Sequence, residues 1–254
     1  VPEEAPAETR ALPSRRVWLV VCCAVVVVVF LALVLPGVFE VKHGKRSYSF
    51  RKGIDRLVFD SKGTVTLDIS PSADGRVRIA RTSKISTDSR LVERHRIAAA
   101  GKTLVFTTSC TGSRLGLLRR CEMTYRVRVP RKIALTLKVH LGQTSVTGVR
   151  GKLDFSSDAG DFTGSACSDE ARLSLGFGRL ALTDTCTPKL VRARVKAGDI
   201  ELTVPSGRYD VKASTRCGSV DRPFPNVIED QSSPNKLDVA MSLGGSIRIE
   251  GAEK

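Results

Sequence analysis

Aromatic residues make up only 5% of this 254-residue chain, histidine occurs three times and tryptophan once. Each shortage removes a class of function. With so few aromatics there is no clustered platform for stacking the bases of a single strand, so nucleic acid is not an expected partner. None of the three histidines, His43, His95 and His140, stands near a cysteine, and no C-x-x-C pair exists, which leaves a zinc site little to build on. His95, inside Glu93-Arg-His-Arg96, has basic neighbours and reads as a surface residue. There is no G-x-S-x-G, no Walker loop and no H-E-x-x-H. The chain therefore reads as non-enzymatic, with no cofactor implied.

What the sequence has instead is Val, Thr, Ser and Gly alongside many Arg. β-Branched residues with glycine punctuation suit strands and tight turns better than helices. The net charge is +15, and it is unevenly placed. Up to Pro36, Arg10, Arg15 and Arg16 cancel Glu3, Glu4 and Glu8, so the rest of the chain carries the whole excess. A surface this basic is drawn to polyanions such as phospholipid head groups or anionic wall polymers, although charge by itself fixes no partner.

Val17 to Leu35 is a run of 19 residues without a charge, closed by Pro36-Gly37. At about 1.5 Å per residue it spans roughly 28 Å, the thickness of a hydrocarbon core. The run is longer than a signal-peptide core and no small-x-small cleavage site precedes Pro36. A lipoprotein reading of Cys22 fails because the apolar run follows that cysteine. The expected organisation is a cytosolic tail over 1–16, a single transmembrane helix over 17–35, a basic linker over 36–52 and a β-repeat domain over 53–250. Ser14-Arg15-Arg16 favours a cytosolic N-terminus. Lys42, Lys45, Arg46, Arg51 and Lys52 on the other side argue the opposite, but long domains translocate largely regardless of charge. The chain begins at Val1, not Met, so its first ten positions carry no expectation.

Beyond the anchor lie Cys110, Cys121, Cys167, Cys186 and Cys217. Cys110 and Cys121 flank a loop between two strand-like runs, where a bridge would staple a hairpin in an oxidising compartment. Cys167 and Cys186 are 19 residues apart, close to one repeat, which would bring them to neighbouring strands at a distance a disulfide can span. Cys217 is left over and reads as a buried thiol.

The repeat itself is marked by Leu141-Gly142, Ala159-Gly160, Phe177-Gly178, Ala197-Gly198 and Cys217-Gly218, with steps of 18, 18, 20 and 20 residues. A degenerate copy follows at Leu243-Gly244-Gly245. Around each glycine, apolar and polar residues alternate, as in Leu173-Ser-Leu175 or Ile200-Glu-Leu-Thr-Val204, the mark of half-buried strands. Short strands at a fixed step of about 20 residues predict an all-β fold of stacked turns, a short β-solenoid. One turn cannot bury its apolar face alone, whereas a stack can. A β-sandwich with evenly spaced hairpins is the competing architecture. Upstream, Thr64–Ile69, Arg76–Arg81, Thr103–Phe106 and Thr124–Pro130 also alternate. Asp74-Gly75 reads as a hairpin turn, and Ser89–Ala100 as a short helix or a charged loop.

Tyr125-Arg-Val-Arg-Val-Pro130, leading into Ala134-Leu-Thr-Leu-Lys-Val139 and the Gly-x-apolar turns from Gly142 to Gly218, resembles the DUF4097 family of bacterial β-strand-repeat, adhesin-like proteins. The resemblance covers roughly residues 50 to 250. It implies an envelope-exposed repeat domain, often behind a membrane anchor, without a known active site. Unusual basicity and the cysteines set this chain apart from that pattern.

Two clusters remain. Asp154, Asp158, Asp161, Asp169 and Glu170 could form an acid–base or calcium group, since solenoids do host polysaccharide-cleaving enzymes, or could simply be solvated turn residues. Arg114, Leu115, Leu117, Leu118, Arg119 and Arg120 form a basic-apolar patch suited to a lipid surface, a partner, or the cap of the stack. The function expected is non-enzymatic binding or scaffolding at the cell membrane of a bacterial envelope, with the C-terminal domain extracytoplasmic. Its partners would be anionic wall polymer, lipid head groups or an envelope protein. An envelope-sensing signalling component is the second expectation, and a polysaccharide-active enzyme the third.

Overall fold

The computed structural model describes residues 41–86, 89–112 and 121–252. The expected tail over 1–16, the transmembrane helix over 17–35 and the patch from Arg114 to Arg120 lie outside them. Among the described residues no helix is long and apolar enough to cross a membrane.

The described chain is all-β. Its first strands are β1 (Val41–Lys52), β2 (Arg56–Pro71), β3 (Arg76–Ser86), β4 (Ser89–Ala98), β5 (Thr103–Gly112) and β6 (Cys121–Val129). Four long strands follow: β7 (Ala134–Arg150), β8 (Leu153–Cys167), β9 (Glu170–Asp184) and β10 (Leu190–Pro205). The last are β11 (Gly207–Thr215), β12 (Ser219–Val220), β13 (Val227–Glu229), β14 (Lys236–Met241) and β15 (Ser246–Ala252). All fifteen join one open sheet.

From β7 to β10 each strand lies parallel to the one before it, with Leu135 beside Leu153, Leu153 beside Ala171, and Ala171 beside Val191. Parallel neighbours normally need a crossover of about a dozen residues. Here only Ser168 and Asp169 separate β8 from β9. The chain manages this because each long strand turns at its central glycine and returns beside its own start after 18 to 20 residues. Gly142, Gly160, Gly178 and Gly198 stack in one column with φ between 124° and 133°. A Cβ on Gly160 would stand 1.8 Å from the carbonyl oxygen of Gly142, and one on Gly198 1.8 Å from that of Gly178. Both the conformation and the approach exclude any side chain there.

The alternating apolar residues of the two limbs face each other. Phe59, Leu137, Phe155, Leu173, Ala193 and Val239 form one inward column, and Leu67, Thr144, Phe162, Leu180, Ile200 and Ile247 another. Ring centroids of Phe155 and Phe162, on opposite limbs of the same strand, are 4.5 Å apart. Gly164 makes room for that pair, since a Cβ there would lie 2.8 Å from the Phe162 ring and 2.9 Å from Leu182. Burial of these columns supplies the stabilisation that a lone turn lacks.

The two ends depart from the expected order. The Gly218 copy does not follow the Gly198 copy in space. Instead β14 and β15 pair with β10, through Val191 with Leu237 and Ile200 with Ile247, while β11 and β12 lie outside them. Gly245 therefore takes the next place in the column, with φ 141°, and Gly218 sits beyond it. Burial explains the exchange. Leu237, Val239, Met241, Ile247 and Ile249 are fully apolar on their inward face, whereas β11 presents only half-buried Val211 and Ala213 over much of its length. The more apolar segment takes the interior position.

At the other end β2 pairs with β7 on one side and with β5 and β6 on the other. Antiparallel strands close this end: β3 on β6, β1 on β3, and β4 on β5. Residues 41–52 of the expected basic linker are thus strand β1, held by buried Phe50 and by Tyr48 packed against the core. Ser89–Ala98 is neither helix nor loop but strand β4. Asp74-Gly75 does turn the chain, yet no hairpin results, because β6 lies between β2 and β3.

Disulfides join Cys110 to Cys121, with Cα atoms 6.5 Å apart, and Cys167 to Cys186, 4.8 Å apart. The first does not staple a hairpin, because β5 and β6 both run along β2. The second links the end of β8 to the segment just after β9, beside the buried Asp184. That carboxylate accepts hydrogen bonds from the backbone N–H of Ser168 at 3.2 Å and of Cys186 at 3.1 Å, and from the Ser168 hydroxyl. Burial pushes its pKa up despite those bonds. Cys217 is exposed, not buried, because its segment occupies the outer edge beyond β15.

Candidate functional site

Strand alternation breaks just before each glycine. Val139 points inward, but His140 and Leu141 both face solvent, and the pattern repeats with Ser157, Asp158 and Ala159. The bend that glycine permits rotates the following residue outward, so the corner carries two adjacent outward rows.

The first of these rows, with the next outward row upstream, bounds a groove of about 930 Å³ that crosses the strands instead of following them. One bank runs Asp60, Lys138, Ser156, Ser174, Arg194, Ala240 and Ser214. The other runs Lys62, His140, Asp158, Gly176, Lys196, Ser242 and Arg216. Seven strands at about 4.8 Å each make the groove roughly 29 Å long. Its floor is the buried row of Ser61, Val139, Ser157, Leu175, Val195 and Met241.

Charge on the banks is unbalanced. Among the described residues, Lys62, Lys138, Lys196 and Arg216 have no carboxylate partner, against one unpaired carboxylate, Asp60. Arg194 donates to Asp238 at 2.6 Å, and Arg192 reaches the same oxygen at 3.1 Å. The hydrogen bond from Arg194 holds the Asp238 carboxyl below the usual carboxylate range. Asp158 is paired with His140. Serines 156, 174, 214 and 242 add hydroxyls that both donate and accept. Ser61 Oγ and Thr215 Oγ1, at the two ends of the floor row, find no hydrogen-bond partner among the described residues.

Outside the groove rim stands the second outward row: Leu141, Ala159, Phe177 and Ala197 on consecutive strands, with Leu243, between β14 and β15, in the next place. Leu141 is 40% exposed, Phe177 55% and Leu243 52%. Three of the five exposed large apolar side chains among the described residues therefore fall on one line beside the groove.

The acidic residues of the expected cluster are dispersed. Asp161 accepts from the Arg179 backbone N–H at 3.1 Å on the other limb, Glu170 binds Lys152 and Arg172, and Asp158 stands in the groove bank. The hydrogen bond from Lys152 keeps the Glu170 carboxyl low. A lowered pKa keeps Glu170 ionised, the opposite of what a general acid needs. Among the described residues, no three His, Cys, Asp or Glu side chains gather as a metal site.

A separate polar cluster pins the antiparallel end. Glu93 is buried and accepts from Tyr48 and Tyr125 hydroxyls, each at 2.8 Å, and from Arg81 at 2.9 Å. Burial drives the Tyr125 phenol well above its ordinary pKa. His95 is exposed and packs against the rings of Tyr48 and Phe50.

Of the candidate site residues singled out in the sequence, only Asp158 lies in the groove. Its signal was nevertheless present: counting two residues back from each aligned glycine gives His140, Asp158, Gly176, Lys196 and Arg216, one bank of the groove in five steps.

No protein-family model matches the chain, and no curated protein does either. Among solved structures, a candidate cell adhesion protein from Clostridium sporogenes is similar, at 16% identity and a TM-score of 0.50, over 83% of this chain and 100% of that one. At this identity the likeness shows a shared fold and nothing more. A candidate adhesin from Parabacteroides distasonis aligns at 11% identity and a TM-score of 0.33, over 82% of this chain and 97% of its own. A candidate lipid-binding protein from the same organism aligns at 10% and 0.32, over 83% and 97%.

Proposed function

We propose that this protein is a non-enzymatic, adhesin-like binding or scaffolding module of a bacterial envelope, and that it grips anionic linear polymers along the groove across its strands. The observation that carries this reading is the groove itself: about 29 Å of continuous, solvent-open channel whose unpartnered cations, Lys62, Lys138, Lys196 and Arg216, outnumber its one unpartnered carboxylate, Asp60. The ladder fixes the spacing of the cations in advance, so only their exposed side chains have to be ordered when a polyanion arrives. Serine hydroxyls between the cations suit a ligand with polar uncharged groups between its charges.

The finer architecture fits the same reading: stacked coils of a short β-solenoid, akin to the DUF4097 family, following a transmembrane helix over residues 17–35. Such an anchor would set the domain outside the cytosol, at the cell membrane. Two disulfides suit that oxidising side.

The test is binding of the full chain, in a zwitterionic detergent, to long-chain inorganic polyphosphate and to a polyuronate such as alginate. Affinity for both should fall steeply between 0.05 M and 0.5 M salt as screening shortens. The Lys138→Gln/Lys196→Gln double variant should lose about ten-fold at low salt. Binding that ignores both salt and the double substitution would remove the groove from the function.

A further inference from the structure

The apolar row beside the groove is unusual in what surrounds its one aromatic member. Phe177 is the only exposed Phe or Tyr among the described residues. Its neighbours on the adjacent strands of the same row are Ala159 and Ala197, which rise too little to cover a ring. The groove-side residue preceding it is Gly176, which has no side chain at all. Gly176 is also fixed by packing, since a Cβ there would lie 2.1 Å from the Asp158 carbonyl oxygen. The benzyl ring thus stands clear at the rim, above a notch in the bank. Lys196 lies in that bank one strand further on, about 4.8 Å along the ladder.

An aromatic face beside a notch, with a cation one step away, is complementary to a sugar ring bearing an acid group. The C–H face of a pyranose is apolar and stacks on an aromatic ring, while its substituents reach for polar partners at the edge. Polyphosphate offers charge but no such face. We infer that the groove's ligand is an acidic polysaccharide, and that Phe177 is the stacking platform for one of its rings. The inference rests on the polyanion-binding reading and narrows it to one class of polymer.

A charged surface flanked by exposed leucines also resembles a site for an anionic bilayer, but the surroundings favour the glycan. Leu141, Phe177 and Leu243 are separated by small residues instead of forming a continuous wedge. The row on the far side of the glycine column runs Gln143, Asp161, Arg179 and Asp199, two carboxylates to one cation, which offers an anionic bilayer no net attraction.

The experiment measures binding of the full chain and its Phe177→Ala variant to alginate, to inorganic polyphosphate and to phosphatidylglycerol vesicles. Phe177 is exposed, and an unchanged melting temperature shows that the variant keeps its fold. The expected result is a loss of about ten-fold for alginate with polyphosphate binding unchanged within two-fold. The Lys138→Gln/Lys196→Gln variant should weaken both polymers alike. An unchanged alginate affinity in Phe177→Ala, or an equal loss for both polymers, overturns the stacking role while leaving the polyanion groove intact. Loss confined to vesicle binding assigns the row to a lipid surface and overturns the inference as well. Failure of the wild-type chain to bind either polymer overturns the groove proposal itself.

Discussion

From β7 to β10 the chain lies in space in the order in which it is written, whereas at both ends it does not. Within the central ladder each strand pairs with the next one in sequence, and glycine after glycine stacks at the same corner. Near the start, β2 is covered by the later β5 and β6, and near the finish, β14 and β15 slip beneath the earlier β11 and β12. The contrast separates two kinds of specification. In the middle, steric necessity at the glycine column sets neighbour and register together. At the ends no column dictates the partner, so burial and buried polar pairs choose it.

Breaking the centre should have the largest effect. Gly160→Val places a side chain against the Gly142 carbonyl in a left-handed conformation, and should cost more than about 4 kcal/mol or prevent folding. Gly53→Ala, also at positive φ but with open space around it, should cost only about 1 kcal/mol in the same urea titration. Equal losses would mean that close approach is not what fixes the ladder.

Breaking the antiparallel end comes next. Glu93→Ala leaves the Arg81 guanidinium and two tyrosine hydroxyls without their buried acceptor, and should destabilise by about 3 kcal/mol. Tyr48→Phe, removing one of those bonds, should cost about 1 kcal/mol. Within the ladder, Cys167→Ser/Cys186→Ser opens a loop of 19 residues and should lower stability by about 2 to 3 kcal/mol, read as a lower melting temperature than the oxidised parent.

The smallest effect concerns the inserted strand. Asp238 ties β14 to β10 through Arg194 and Arg192, and its folded pKa lies below the ordinary carboxylate value. Its contribution is therefore fully present above the ordinary carboxylate pKa and disappears as pH falls through the depressed one. Asp238→Asn should flatten the acid limb of the stability–pH curve and leave the alkaline side unchanged. An unaltered acid limb would show that the pair adds nothing to the placement of β14.

Much of the central ladder could be read before any coordinates, because Leu141-Gly142 through Ala197-Gly198 carry both the period and the alternation in consecutive residues. The ends could not. Leu243-Gly244-Gly245 looks like one more copy after Cys217-Gly218, and nothing local says that its neighbour in space is Gly198, 47 positions earlier. Strand β1 was masked by its lysines and arginines, which point outward while Tyr48 and Phe50 alone hold it down. Ser89–Ala98 hides its role in the same way, since only Glu93 connects it to the interior by charge. The groove was concealed for another reason. Lys62, Lys138, Lys196 and Arg216 lie far apart in the sequence, and only the register sets them along one groove.

The placement of β14 and β15 also bears on how the domain can be made. Residues 236–252 leave the ribosome after 207–220, yet they occupy a berth between those residues and β10. A chain halted before residue 236 has its penultimate layer missing, and β11 lacks its native partner β14. Assembly by simple addition from one terminus is therefore closed to this topology. The outermost layer must wait, or first settle elsewhere and be displaced.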